Sequence, residues 1–273
     1  MPEGQVVHKT ETPITVESLQ ADFAALGIEK GMVLLVHSSL SAMGWVCGGA
    51  VAVIIALQEV LGETGTLVMP THSSDLSDPS QWENPPVPEA WWQTIRETMP
   101  AYDPDLTPTR SMGTIVETFR RQKGVRRSIH PQKSFCARGP QATYITDNHG
   151  LAFGMGESSP LDRIYDLQGS VLLLGVGHSN NTSIHLAEYR ADFPTKRVVP
   201  AGAPISQAGS RTWTTFEDIN IDASDFDRIG ADFMHSDAGT VIRHGKVGNA
   251  NCQLMPQRAV VDFAVDWLEK NRV

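Results

Sequence analysis

Cysteine is scarce. Cys47, Cys136 and Cys252 form an odd, scattered set with no CxxC pair, which argues against a disulfide framework and a structural zinc site and leaves three reduced thiols. Positive charge is also in short supply. With 22 basic against 31 acidic residues the formal net charge is -9, a balance that disfavours a nonspecific nucleic-acid binder and favours a cationic small molecule. No signal peptide opens the chain and no apolar run approaches membrane-spanning length, so a cytoplasmic enzyme without a membrane partner is expected. Several motifs are missing as well. There is no GxxxxGK[ST] loop, no GxGxxG after a suitable strand, no GxSxG elbow and no HExxH, which disfavours a P-loop, a dinucleotide fold, a serine hydrolase and a zincin.

What is present reads as an α/β enzyme. A chain of 273 residues, 41% hydrophobic, can bury a large core. Residues 1–13 are polar and read as an extension or a short edge strand; residues 14–273 read as a single domain. Thr15 caps a helix carrying Leu19, Phe23 and Leu26 and ended by Gly27. A strand over Met32–Val36 then runs into His37, Ser38 and Ser39. Gly48 and Gly49 open the helix AVAVIIALQEVL, Gly62 stops it, and Thr66–Met69 is the next strand, a unit that builds a parallel sheet.

Residues 71–110 form a long excursion with seven prolines and Trp82, Trp91 and Trp92, read either as a functional lid or wall or as a surface arm pinned by its tryptophans. Ser111 is expected to cap a helix through Met112, Ile115, Val116 and Phe119. Ser128-Ile129-His130-Pro131, after Arg126 and Arg127, is a charged surface turn that also has the chemistry to hold phosphate. Beyond Pro200 the pattern turns β-rich, and in EDINID an alternation sets Ile219 and Ile221 on one face against Asp218, Asn220 and Asp222 on the other. Pro256 begins a last helix.

The densest chemistry lies in GVGHSNNTSIHLAE, Gly175–Glu188. It follows Val171–Leu174, an apolar run suited to a central strand covered on both faces. Thr182 can cap the next helix, putting His185 in its first turn and Glu188 three residues on, on roughly the same face. His185 therefore falls near strand carboxyl ends, where open α/β sheets bind ligands.

His37-Ser38-Ser39-Leu40, Gly48-Gly49-Ala50, Thr109-Arg110-Ser111-Met112-Gly113, Ser128-Ile129-His130-Pro131 and NTSIHLAE occur here in one order, and with them the chain resembles the aminoglycoside 3-N-acetyltransferase family from about Leu19 to the last helix. The resemblance implies an antibiotic N-acetyltransferase fold, distinct from the general N-acetyltransferase fold: a compact α/β domain with a central mixed, mostly parallel sheet flanked by helices. It also implies transfer of acetyl from acetyl-coenzyme A to the 3-amino group of a 2-deoxystreptamine aminoglycoside, an antibiotic-resistance activity needing no metal. Under it, His185 is the general base, Asp222 its orienting carboxylate, and Thr182 an oxyanion donor or, in a second mechanism, a nucleophile. His37, Ser38, Ser39 and Leu40, with Thr109, Arg110, Met112 and Gly113, are the expected coenzyme A contacts. Asp75, Glu157 and Glu188 are the expected contacts to the cationic aminoglycoside. The chain is expected to be a monomer or homodimer. Three other readings stay open: an acyltransferase for a different amine, a noncatalytic binder, and a metal-dependent hydrolase using His185, Glu188 and His37, His130 or His178.

Overall fold

In the computed structural model, which describes residues 3–273, seven strands form one sheet and two more form a separate hairpin. The strands are β1 (Val33–Ser38), β2 (Thr66–Pro70), β3 (Arg126–Arg127), β4 (Phe135–Arg138), β5 (Ser170–Leu174), β6 (Val198–Gln207), β7 (Ser210–Ile219), β8 (Arg243–Val247) and β9 (Ala250–Pro256). The large sheet runs β3-β4-β2-β1-β5-β9-β8, and β6 pairs only with β7. The sheet is mixed. Its parallel pairings are the central ones, β2 with β1 and β1 with β5; β4, β3, β9 and β8 join antiparallel, so the parallel share is smaller than the apolar runs imply.

The central strands are apolar throughout because both faces are covered, and their alternate residues go to opposite sides. Leu34, Val36, Leu67, Met69, Leu172 and Leu174 enter one core; Leu35, Val68, Val171 and Leu173 enter the other. The first core is closed by α2 (Val16–Leu26), α3 (Gly49–Leu61) and α5 (Gly113–Phe119), and the second by α6 (Ala142–Thr146), α7 (Pro160–Asp166), α8 (Ser183–Arg190), α9 (Phe226–His235) and α10 (Gln257–Asn271). Two further helices are α1 (Glu3–His8) and α4 (Glu89–Thr98). Local rules set several boundaries: Thr15 and Ser18 form a capping box on α2, and Gly27, at φ 98°, ends it in the left-handed conformation.

Four expectations are corrected. Residues 3–8 are helical, with Val6 buried, so this segment is not an edge strand. Ser111 does not cap α5: it sits at φ 59°, Met112 is the cap position, and no side-chain bond is made there. The EDINID alternation breaks at Ile219, where β7 ends, because Asp218 turns inward to Lys133 Nζ at 2.5 Å and to the Tyr189 hydroxyl. The Ser128–Pro131 turn is a brace with only Ile129 at the surface: His130 is fully buried and its Nδ1 accepts from the Gln132 and Lys133 amides, while Ser128 Oγ is engaged with His149 and the Phe135 amide, so neither polar side chain of the turn is open to phosphate.

The excursion over 71–110 packs against the hairpin. Arg127 holds it from beneath, donating to the carbonyls of Pro104, Thr107 and Thr71, while the Tyr102 amide donates to Pro204 of β6 at 2.9 Å. Of its tryptophans, Trp91 is 57% exposed, whereas Trp82 and Trp92 are half-buried and the Trp82 Nε1–H donates to Ser77 Oγ at 2.9 Å. Gln132 ties the two together, donating to the Leu76 carbonyl of the excursion and the Gly202 carbonyl of β6.

Candidate active site

His37 is the penultimate residue of β1 and the polar turn after β5 faces it, because the two strands are parallel neighbours with His37 opposite Leu173. Gly175 makes the exit possible. It adopts φ 69°, and a Cβ there would lie 2.6 Å from the Ala42 Cβ. The chain then forms a short 3-10 turn over His178–Asn180 and enters α8 through Thr182. Contrary to expectation, Thr182 makes no side-chain cap; its Oγ1 lies 3.3 Å from His37 Nε2 instead.

His185 occupies the first turn of α8, and its Nδ1 lies 2.5 Å from Glu188 Oε2. An ionised carboxylate only accepts, so Nδ1 carries a proton, and in the neutral ring that tautomer leaves the lone pair on Nε2. Glu188 is completely buried, and its other oxygen accepts from the Asp222 amide at 2.9 Å and from Arg272 Nη1 at 2.5 Å. Phe226 lies beside the imidazole with ring centroids 4.7 Å apart and the planes tilted by 59°. Two assignments are thereby corrected. The carboxylate that orients His185 is Glu188, three residues along the same helix, whereas the Asp222 carboxylate accepts from the Ser224 amide at 2.9 Å. Glu188 in turn has no exposed surface with which to meet a substrate.

A second imidazole faces the same space. Burial foremost pushes His37 down to about 3, so it is neutral at pH 7 and exchanges a hydrogen bond with Thr182. His37, Thr182, His185 and Phe226 line an inner cavity of about 190 Å³. Ser38, Ser111, Met112 and Asn180 line this cavity and also a neighbouring cleft of about 600 Å³, so the two adjoin. The cleft continues along Ser39, Leu40, Gly49, Gly113 and Thr114.

The geometry is an imidazole held by a buried carboxylate, a hydroxyl and an adjoining cleft, groups of the kind that acyl transfer uses. Residues 35–269 match the family described as aminoglycoside 3-N-acetyltransferase. The chain belongs to the aminoglycoside 3-N-acetyltransferase family. It is 48% identical to the SPbeta prophage-derived aminoglycoside N(3')-acetyltransferase-like protein YokD of Bacillus subtilis (strain 168), over 98% of this chain and 97% of that one. The YokD crystal structure superposes with a TM-score of 0.95 over 98% of both chains. Aminoglycoside N(3)-acetyltransferase VII of Streptomyces paromomycinus is 37% identical, covering 99% and 96%. The structure described as AAC-IIIb binary with CoASH matches with a TM-score of 0.85 at 31% identity, covering 96% and 98%.

Within this family member, the remaining predicted contacts divide. Ser38, Ser39, Leu40, Met112 and Gly113 line the cleft, whereas His37 lies deeper, at the inner cavity. Thr109 does not reach it: its amide and hydroxyl both donate to Glu117 Oε1, at 2.7 and 2.6 Å. Arg110 pairs with Asp75 at 3.1 Å beside a separate hollow of the excursion. Glu157 is exposed and paired with Arg190 at 2.9 Å. Neither Asp75 nor Glu157 lines the inner cavity. The histidines proposed as a metal set are dispersed: His130 bonds the Leu151 carbonyl and His178 bonds Gln253, and among the described residues no cluster of three or more His, Cys, Asp or Glu is placed to hold a metal. No helix among the described residues is long and apolar enough to cross a membrane.

Sequence reasoning missed Phe226, Asn181 and Arg272. Asn181 adjoins Thr182 in the signature and is fully buried against the inner cavity, so its position was a usable signal. Phe226 and Arg272 carried none, because each comes from an element remote in sequence.

Proposed function

We propose that this chain transfers acetyl from acetyl-coenzyme A to the 3-amino group of a 2-deoxystreptamine aminoglycoside, with His185 as general base. The observation that carries the reading is the His185–Glu188 pair, one nitrogen held by a buried carboxylate and the other opening on a cavity that adjoins a long cleft. The cleft suits coenzyme A in size and lining. It is about 600 Å³, mixes apolar Leu40, Val46, Met112 and Ile115 with hydroxyls, and passes the start of α3, a 13-residue helix whose first amides have no side-chain cap. When bound, the cosubstrate supplies an activated acetyl thioester.

The residues then divide the work. His185 Nε2 takes the proton that the attacking amine loses as the C–N bond forms and returns it to the sulfur as the C–S bond breaks and the thiol leaves, and Glu188 stabilises the imidazolium between the two transfers. Thr182 Oγ, uncommitted to helix capping, is available to donate to the acyl oxygen as negative charge develops there. An acetyl-Thr182 route has less support, since the imidazole bonded to Thr182 is His37 rather than His185. Coenzyme A contacts are assigned to Ser38, Ser39, Leu40, Met112 and Gly113.

The second reading keeps the chemistry and changes the acceptor to a different amine. Asp75, Glu157 and Glu188 are each paired with an arginine, so an ammonium must displace one or find other acceptors. Thiol release from acetyl-coenzyme A, measured with deoxystreptamine antibiotics and simple amines, tests both. His185-dependent release with the antibiotics is expected. Release that persists in His185→Ala overturns the base assignment, and release confined to other amines overturns the acceptor.

A further inference from the structure

We propose that Arg272 is a positioning residue for the acetyl-transfer site, holding Glu188 ionised and aligned so that His185 keeps its working tautomer. The proposal rests on the reading of His185 as the base. Arg272 lies beyond the 35–269 segment matched to the family, and it touches none of the reacting atoms.

A carboxylate with no exposed surface persists as an anion only if both oxygens are satisfied by strong donors. One oxygen of Glu188 serves His185. The other depends on Arg272 Nη1 at 2.5 Å, with the Asp222 amide at 2.9 Å as its neutral companion. Arg272 is itself fixed from three sides. It grips Asp225 through Nε at 2.8 Å and Nη2 at 2.6 Å, donates to the Asp222 carbonyl, and stacks over Phe193 at 5.3 Å. Its side chain is only 10% exposed. A lysine cannot reproduce this, because one ammonium cannot form a planar fork on Asp225 and also reach Glu188.

The other charged groups around Glu188 do not replace Arg272. Asp225 is an anion beyond it, and Lys133 feels the Glu188 charge but is bonded to Asp218 and Tyr189. Without Arg272, burial drives Glu188 towards its protonated form. His185 Nδ1–H then faces a neutral carboxyl, a weaker acceptor that can turn its own O–H towards the ring, and the imidazole is free to turn or exchange tautomers.

The test uses the full chain carrying Arg272→Met, Arg272→Lys or His185→Ala, with kcat and KM for acetyl-coenzyme A, the pH profile of kcat/KM, and proton NMR of the His185 Nδ1–H. Arg272→Met is expected to lower kcat on the order of 100-fold, the effect of a misplaced catalytic group, with KM little changed. The acid limb of the profile moves to lower pH, because an imidazole without its carboxylate is a weaker base, and the downfield Nδ1 proton signal disappears. Arg272→Lys retains the fold and recovers only part of kcat. Wild-type kcat in Arg272→Met overturns the proposal, as does wild-type kcat in Arg272→Lys should Arg272→Met fail to fold. An unshifted pH profile with the Nδ1 proton intact also overturns it. Turnover retained in His185→Ala is instead a failure of the base assignment, which separates the two.

Discussion

Replacing Glu188 with glutamine is the sharpest probe of the site, because the substitution preserves shape and removes only charge and one acceptor. Every group around the carboxylate is a donor: the Nδ1–H of His185 on one oxygen, the Asp222 amide and Arg272 on the other. Glutamine has one oxygen for the two sides, so whichever way its amide turns, an NH2 faces a donor. The catalytic loss follows from charge. With centres about 4 Å apart and an effective dielectric of about 20, a carboxylate attracts an imidazolium by about 4 kcal/mol. Arg272 stands beside position 188 in both enzymes and cancels from the difference. At about 1.4 kcal/mol per factor of ten, kcat/KM falls by roughly 700-fold when the proton is fully on His185 in the transition state. The unmatched amide adds about 1–3 kcal/mol of lost stability. Thiol-release kinetics and a melting curve measure the two effects separately. A Glu188→Gln enzyme with wild-type kcat/KM refutes the reasoning, since no charge would then be needed behind His185.

Acid should destabilise the fold earlier than carboxylate titration alone predicts. Burial foremost holds His37 and His72 at about 3 and His149 at about 4, while the unfolded chain binds these protons near pH 6.5. The unfolded state is therefore the more protonated one below pH 6.5, and stability declines as pH drops towards 4. At pH 5.5 each imidazole contributes about 1.4 kcal/mol of loss, about 4 kcal/mol for the three. Denaturant midpoints unchanged between pH 7.5 and about 5.5 would show that these rings are not buried neutral. Asp218→Asn leaves Lys133 without its anion in a site where the lysine is only 12% exposed, and should remove about 3 kcal/mol, read as a Tm lowered by roughly 6 °C or more. An unaltered Tm contradicts that. Gly175→Ala places a methyl 2.6 Å from the Ala42 Cβ at φ 69°; an expected loss of about 1–3 kcal/mol is checked by urea unfolding, and a neutral result means the turn relaxes freely.

Much of the fold was legible where local signals agree. The helix over Val16–Leu26 has its cap, its periodic apolar face and its terminal glycine within a dozen residues, and the strands before His37 and Gly175 are apolar runs ended by turn residues. The elements that escaped lack such agreement. Strand β8, RHGKV, is exposed on most of its length, and β9 is recognisable only once it pairs with β5. Helix α9 is built from FDRIGADFMH, with Gly230 at its centre because the His178 ring packs there: a Cβ would lie 2.1 Å from the His178 Cγ.

At the site, the separation is physical. His185, Thr182 and Glu188 lie within seven residues of one another, so helix geometry alone sets their spacing, and the sequence determined that a base, a hydroxyl and a carboxylate would share the start of one helix after a buried strand. It did not determine which carboxylate serves the imidazole. Asp222 and Glu188 are the same chemistry at different distances along the chain. The choice was made by the approach of Asp222's amide, and not its side chain, to Glu188, and by Arg272 arriving from beyond α10. His37 meeting Thr182 is equally tertiary, a consequence of β1 and β5 lying side by side. Through-space electrostatics and burial depend on neighbours that only the packed sheet and its helices bring together.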